Sequence, residues 1–303
     1  MSYRDTSVSR ILHYYFNFIS VTTEHTKYSV LYLTDLYFEA KGRKYYEEDL
    51  YLTSRLRSDF EILICHPCDS HKFEQAVDLV IFRNAGPVMN FKEYFDGFKN
   101  RINTQNILSY NSMKGKADMN GKDYLIEMTS EGYPVIPTIE KSENLHLLPQ
   151  ADLYMVKLKN GADSIGMHVV NSTQLSEMDL TGSIVQPFVD FEYEVSFYFI
   201  DENFQYALYA PDKNKRWELA LYEPTETDLE FAEKFIKWNA LSHGIQRVDA
   251  CRLQDGQLLL VELEDLNPYL SIDLLSNDLR EKFVTSFRDS LLKAISTHRQ
   301  IIN

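Results

Sequence analysis

The segment 246–271, QRVDACRLQDGQLLLVELEDLNPYLS, constrains the fold more than any other stretch of the chain. Asp255-Gly256 has the chemistry of a hairpin turn, so its flanks read as two adjacent antiparallel strands. The first carries Arg247-Val248-Asp249. The second carries Glu262-Leu263-Glu264, and Asn267 follows three residues later. Side chains alternate along a strand, so Glu262 and Glu264 share a face and Leu263 takes the other. The preceding run, LLLV at 258–261, is apolar on both faces and reads as buried. Asp249, Glu262 and Glu264 then share one space, where buried acids repel unless a cation sits among them. Oxygen-only ligands suit Mg²⁺, and Mg²⁺ usually shares its shell with phosphates. On an exposed hairpin the same acids would form a solvated face, but the apolar run before them favours the metal-nucleotide reading.

The chain has 303 residues, enough for two ordinary domains or one multi-lobed unit, and 44% are hydrophobic, enough for a sizeable core. A formal net charge of -14 excludes a globally basic nucleic-acid footprint. No apolar run approaches the roughly 20 residues that span a bilayer. Residues 1–20, MSYRDTSVSRILHYYFNFIS, hold a short apolar patch that Tyr, His and Asn interrupt. They lack a small-residue cleavage site, so a secretory signal is not expected. Three cysteines exclude a disulfide scaffold and fit a reducing compartment. The expectation is a soluble, cytoplasmic protein.

Short β-branched and aromatic runs at 28–33, 60–65 and 78–82 predict strands, and 90–102 has helical spacing. This alternation predicts a small α/β domain over roughly the first hundred residues. The stretch 103–121 is rich in Asn, Ser, Lys and Gly and reads as a linker or mobile loop. A helix is predicted over 122–131, with Gly132 as its stop, then an extended PVIPT at 134–138. Strands follow at 152–158, 167–170 and 183–189, the last running into alternating residues at 192–200. An amphipathic helix spans 227–242, and a final helix spans 279–297.

Four further groups carry chemistry. Lys157 ends an apolar strand before a loop containing Gly161 and Gly166. A buried lysine there needs an anion such as a phosphate, whereas one reaching solvent needs nothing. Lys159 is the better candidate for that solvent-reaching role. Gln186-Pro187-Phe188-Val189 reads as an edge or hinge, because Pro187 removes a backbone donor. Its backbone and Phe188 could hold an adenine ring, or it is an ordinary strand end. Glu194 alternates with apolar neighbours and could bond a ribose. Cys65-His66-Pro67-Cys68 has thioredoxin-type spacing, without the matching βαβ order around it, and only Cys251 remains to help hold a metal. Serine-hydrolase, P-loop and Rossmann fingerprints are absent.

Taken in order, Lys122, Lys157, Gln186-Pro187-Phe188-Val189, Glu194, Arg247-Val248-Asp249 and Glu262-Leu263-Glu264 resemble the ATP-grasp superfamily, nearest to glutathione-synthetase-like and RimK-like carboxylate–amine ligases. The likeness runs from about Tyr28 to the last helix. It implies an α/β (α+β) ATP-grasp fold in three parts. These are an N-terminal α/β domain (1–105), a central lysine-bearing subdomain (106–185) and a C-terminal metal-binding subdomain (186–303). The resemblance implies ATP and Mg²⁺ as cofactors. Lys122 and Lys157 would contact phosphates, Gln186, Phe188 and Val189 would line the adenine pocket, and Glu194 would bind ribose. Arg247 would steady the transferred phosphate. Asp249, Glu262, Glu264 and Asn267 are the metal candidates.

This sequence departs from the pattern in several places. Glu264 stands where many relatives have Asn, and 111–121 looks like an insertion, so Lys114 or Lys116 could take the place of Lys122. The 212–217 run, DKNKRW, is short, with Arg216 the best catalytic candidate there and Lys213 next. Arg83 and Asn84 are expected to face the substrate cleft.

The implied reaction suits these residue types. Phosphoryl transfer from ATP turns a poor electrophile, a carboxylate, into an acyl phosphate, and an amine then attacks it. Lysines, an arginine and Mg²⁺ supply positioning and charge, and no covalent nucleophile is needed. Small-molecule or peptide acids and amines are the expected partners, with no nucleic acid and no membrane. A homodimer is common among relatives. A nucleotide-binding regulator or scaffold that has lost ligation is the alternative, and a thiol-redox protein using Cys65 and Cys68 is a more distant one.

Overall fold

A computed structural model of the chain describes residues 27–40, 42–86, 88–161 and 166–302. The expectation for residues 1–20 lies outside them, as do the four residues 162–165 of the loop after Lys157. Strand β1 (Tyr28–Leu33) is followed by a small hairpin, β2 (Glu39–Ala40) and β3 (Arg43–Lys44). Helix α1 (Tyr46–Leu56), β4 (Phe60–Cys65), β5 (Leu79–Phe82), α2 (Lys92–Thr104) and β6 (Ser109–Tyr110) complete this part. The long strands form a parallel sheet in the order β4-β1-β5-β6. All four residues of β5 are buried, as expected of a parallel strand covered on both faces.

Helix α3 (Tyr124–Ser130) leads to an antiparallel three-stranded sheet, β8-β7-β9, built from β7 (Leu153–Leu158), β8 (His168–Asn171) and β9 (Ser183–Pro187). Helix α4 (Ser172–Glu177) lies between its last two strands in sequence. The third sheet is a five-stranded antiparallel one, ordered β12-β11-β10-β13-β14. Its members are β10 (Phe191–Ile200), β11 (Asn203–Ala210), β12 (Ala220–Tyr222), β13 (Ile245–Leu253) and β14 (Leu258–Glu264). Helix α5 (Glu226–Asn239) precedes β13 and starts with a Thr225/Asp228 capping box. Helix α6 (Asn277–Ile302) closes the chain.

The cores follow these layers. One joins β1, β5 and α1 to Tyr198, Ile200, Tyr206 and Leu208 of the five-stranded sheet and to Phe283, Phe287 and Leu291 of α6. A second packs α3 and α5 on the other face of that sheet. A third sets α2 against the parallel sheet, and the three-stranded sheet keeps a small core of its own around Tyr154, Val156, Leu175 and Val185. No helix among the described residues is long and apolar enough to cross a membrane.

The stretch 103–121, expected to be a linker or mobile loop, instead enters the interior from Leu108 onward, with Lys114, Lys116 and Asn120 left at the surface. It contains β6, and Leu108, Tyr110, Asn111, Ser112, Met113, Ala117 and Met119 are buried. Its polar residues serve buried backbone groups rather than water. The Asn111 amide donates to Ile245 O (2.6 Å) and Asp265 O (2.7 Å) and accepts from Ile245 N (2.9 Å). The fully buried Asp265 carboxylate accepts from Ala117 N (2.9 Å) and Met119 N (3.0 Å).

Candidate active-site cleft

Asp255-Gly256 turns the chain between β13 and β14, with Gly256 at φ 84°. The pairing register sets Asp249 opposite Glu262 and Arg247 opposite Glu264. The register shifts between Asp249 and Ala250, which leaves Val261 as the extra residue on β14. Both Val261 and Glu262 therefore line the same cleft, together with Glu264, Arg247, Asp249 and Asn267. This cleft has a volume of about 440 Å³. Lys122, Lys159, Glu194, Ser196, Arg216 and the cleft-facing stripe of α2 (Lys92, Phe95, Asp96, Lys99) complete much of its wall.

The acids in the cleft are held by the protein's own cations. Arg247 donates from Nε (2.8 Å) and Nη2 (2.7 Å) to the two oxygens of Asp249, and from Nη2 to Glu264 (2.5 Å). Its Nη1 reaches Tyr269 O at 3.0 Å, and Ser196 Oγ donates to Asp249 at 2.6 Å. Lys122 pairs with Glu262. Burial alone would raise Glu262, but the Lys122 charge and hydrogen bond outweigh it and hold the carboxyl below its usual range. Glu264 goes the other way. Burial pushes it up to about 7, and the neighbouring Asp249 and Glu262 charges add to that against Arg247.

Lys157 is not part of the cleft lining, yet its electrostatic neighbours are Glu262, Lys122, Glu194 and Arg216. It has no hydrogen-bond or ion-pair partner among the described residues, and burial lowers its pKa. Lys159, expected to reach solvent, pairs with Asp123 (2.6 Å) and Glu140 (2.5 Å) and lines the cleft. Lys122 is the lysine of its region in the cleft. Lys116 donates instead to Trp238 O and lies over that indole ring, and Lys114 is exposed.

Glu194 and Arg216, read as separate ribose and catalytic residues, form one bidentate pair at 2.6 and 2.8 Å. Lys213 bonds Asp190 and stays outside the lining. Gln186 is buried and donates to Thr138 Oγ1 at 2.8 Å; neither it nor Phe188 nor Val189 lines the cleft. The strand register nevertheless sets Met155 opposite both Gln186 and Val169, and alternation puts Leu153 and Lys157 on the same face. Leu153 (41%), Val169 (48%) and Phe188 (46%) are exposed apolar side chains. The face that carries Lys157 therefore presents an uncovered apolar surface at its other end.

Arg83 corrects an expectation. It does not face the cleft but is fully buried, bonded to Glu48 (2.9 Å) and Pro268 O (2.9 Å). Only Asn84 reaches the lining, while its amide donates to Glu48 and Tyr45 O. Cys65 and Cys68 are free thiols, and burial raises both pKa values, the opposite of an activated redox pair.

Sequence reasoning missed Asp118, whose carboxyl is raised far above its ordinary range by burial and then by the Asp265 charge and hydrogen bond. It lay in the stretch taken for a linker. Tyr198 and Tyr269, which flank Arg247, carried no pattern that could have singled them out.

The carboxylate oxygens of Asp249, Glu262 and Glu264 and the amide oxygen of Asn267 are the right donor type for Mg²⁺, and all four residues line one cleft. Asn267 Nδ2 donates to Arg83 O, which leaves its oxygen as the available group. Among the described residues, no group of three His, Cys, Asp or Glu side chains converges as a ready metal set. Arg247 and Lys122 hold the acids in the arrangement described.

No family model matches the sequence, and a search of curated proteins finds no match. Solved structures do match. D-cycloserine synthetase DcsG is similar at TM-score 0.66 and 18% identity, over 88% of this chain and 99% of that one. D-alanine–D-alanine ligase from Bacillus anthracis, complexed with ATP, follows at 0.65 and 14%, over 91% and 100%. The ATP-grasp ligase PsnB, complexed with a precursor variant, Mg and ADP, stands at 0.57 and 12%, over 85% and 97%. The chain has the ATP-grasp fold.

Proposed function

We propose that the chain is an ATP- and Mg²⁺-dependent carboxylate–amine ligase that forms an amide through an acyl phosphate. The observation that carries this reading is the cleft in which Asp249, Glu262, Glu264, Arg247 and Lys122 meet, with Lys157 unpaired beside them. The fold likeness to ligases supports it. Lys122 and Lys157 bind phosphates. The exposed Phe188, Leu153 and Val169 surface packs an adenine, with Gln186 and Val189 at its border. Glu194 takes the ribose once Arg216 releases it. Asp249, Glu262, Glu264 and Asn267 hold Mg²⁺, which when bound neutralises phosphate charge. Arg247 stabilises the charge that builds up on the transferred group, and Arg216 assists from its place beside Glu194. The three-part division at 1–105, 106–185 and 186–303 belongs to this reading, as do a cytoplasmic location and a homodimer.

One observation favours the second reading, a nucleotide-binding regulator. Arg247 and Arg216 already occupy Asp249, Glu264 and Glu194. ADP release across a panel of acid–amine pairs separates the two. The ligase reading expects Mg²⁺-dependent ADP release with at least one pair, lost in Asp249→Asn and Glu262→Gln variants that keep the wild-type circular dichroism. Unchanged turnover in either variant overturns the site assignment.

A further inference from the structure

The cleft has an end that the phosphate and metal residues leave unused. It is built from the β2–β3 hairpin and the segment after β14. Arg43 sits there with only neutral partners among the described residues. Its Nη2 donates to Trp217 O at 2.7 Å, its Nη1 to Ser271 Oγ at 3.3 Å, and its guanidinium carbon lies 5.5 Å from the Tyr269 ring centre. The other two cleft arginines, Arg216 and Arg247, are both neutralised by carboxylates. Arg43 therefore brings the one positive charge among the cleft arginines that no described acid cancels.

Its surroundings are aromatic. Tyr269 stacks on Tyr45, with ring centres 4.3 Å apart and planes 18° apart. Phe38 meets Tyr45 edge-on at 5.5 Å. Phe38, Tyr45, Trp217, Leu219 and Tyr269 all line the cleft together with Arg43. A guanidinium has five donors in a planar fork that matches a carboxylate, and two donors here are used on neutral groups. Ring faces next to such a fork suit an apolar or aromatic group attached to the acid.

We propose that Arg43 and the Tyr45–Tyr269 stack form a recognition subsite for a substrate carboxylate borne on an aromatic or bulky apolar group. This rests on the ligase reading for its place in a reaction, but the binding itself does not. The subsite discriminates by two features, charge at Arg43 and the apolar and aromatic lining of Phe38, Trp217 and Leu219 around the Tyr45–Tyr269 stack. A small acid such as acetate satisfies the first alone, and an uncharged amide satisfies the second alone.

The test is calorimetric titration of the full chain with 3-phenylpropionate, 3-phenylpropionamide and acetate, with binding of a non-hydrolysable ATP analogue measured separately. The acid should bind roughly tenfold more tightly than its amide, the size of one lost charged hydrogen bond, and more tightly than acetate, which keeps the charge and lacks the ring. Arg43→Met should bring the acid down to the level of the amide. Equal binding of acid and amide, no binding of the acid, or unchanged affinity in Arg43→Met overturns the subsite. The acid–amide comparison uses wild type alone, so it stands even if the variant folds poorly. Failure of the ATP analogue to bind wild type would count against the ligase reading and leave the acid–amide result to be read on its own.

Discussion

Glu48 and Arg83 meet at 2.9 Å in the interior, and between them they hold the backbone on which Asn267 and Tyr269 stand. Glu48 accepts from Leu270 N and Ser271 N, Arg83 donates to Pro268 O, and Arg83 O accepts from Asn267. Five consecutive residues after β14 are thus tied down, with Arg247 holding Tyr269 O from the other side. One side chain from α1 and one from the end of β5 fix the segment that completes the cleft.

Breaking this pair from one side leaves a buried charge uncompensated. Arg83→Met leaves Glu48 and Asp49 buried without their cation and should cost about 3–5 kcal/mol in urea unfolding at pH 9, above the pKa of Glu48. A loss under about 1 kcal/mol would show that the two carboxyls are neutral without the arginine.

Burial pushes Glu48 up from its ordinary 4.5 to about 8, against the pull of Arg83. A raised carboxyl favours the folded state fully below the unfolded pKa and loses that contribution as pH rises through the folded one. Thermal stability should therefore fall between about pH 4.5 and 8. Glu48→Gln should flatten that slope, which melting curves at half-unit pH steps would reveal.

Gly115 has no room for a side chain. A Cβ there would collide with Asp265 Oδ2, and Asp265 is fixed by Ala117 N and Met119 N. Gly115→Ala should destabilise by about 1–3 kcal/mol, the usual cost of overpacking. Gly132→Ala meets nothing within 4 Å and serves as the contrast, its cost coming only from φ 74°.

Lys157 should separate stability from binding. Lys157 is half-buried with no hydrogen-bond or ion-pair partner among the described residues, and desolvation lowers its pKa. Lys157→Met should hold or raise the melting temperature while weakening binding of a fluorescent ATP analogue roughly tenfold. If both fall together, the lysine is structural.

What the sequence made legible was local. The β13–β14 hairpin could be read because a turn pair, strict alternation and an apolar run agree within 20 or so residues. The shift at Val261 could not, since a bulge depends on the partner strand. The 103–121 stretch misled because Asn, Ser and Gly satisfy buried backbone as readily as they make loops. Lys159 misled because Glu140, its partner, is 19 residues away in sequence. Arg83 ended a strand and was expected to face the cleft, while the acids that pair with it in the interior lie on α1.

The core shared by the parallel sheet, the five-stranded sheet and α6 has a mechanical consequence. Phe283 and Phe287 of α6 belong to the same packed cluster as Tyr32 and Tyr198, and separating those two sheets would expose that interior to water. The three-stranded sheet has a small core of its own, and Ile184 of β9 is its one member in the core shared by α3, α5 and the five-stranded sheet. Any breathing that admits a ligand as large as a nucleotide therefore costs least there.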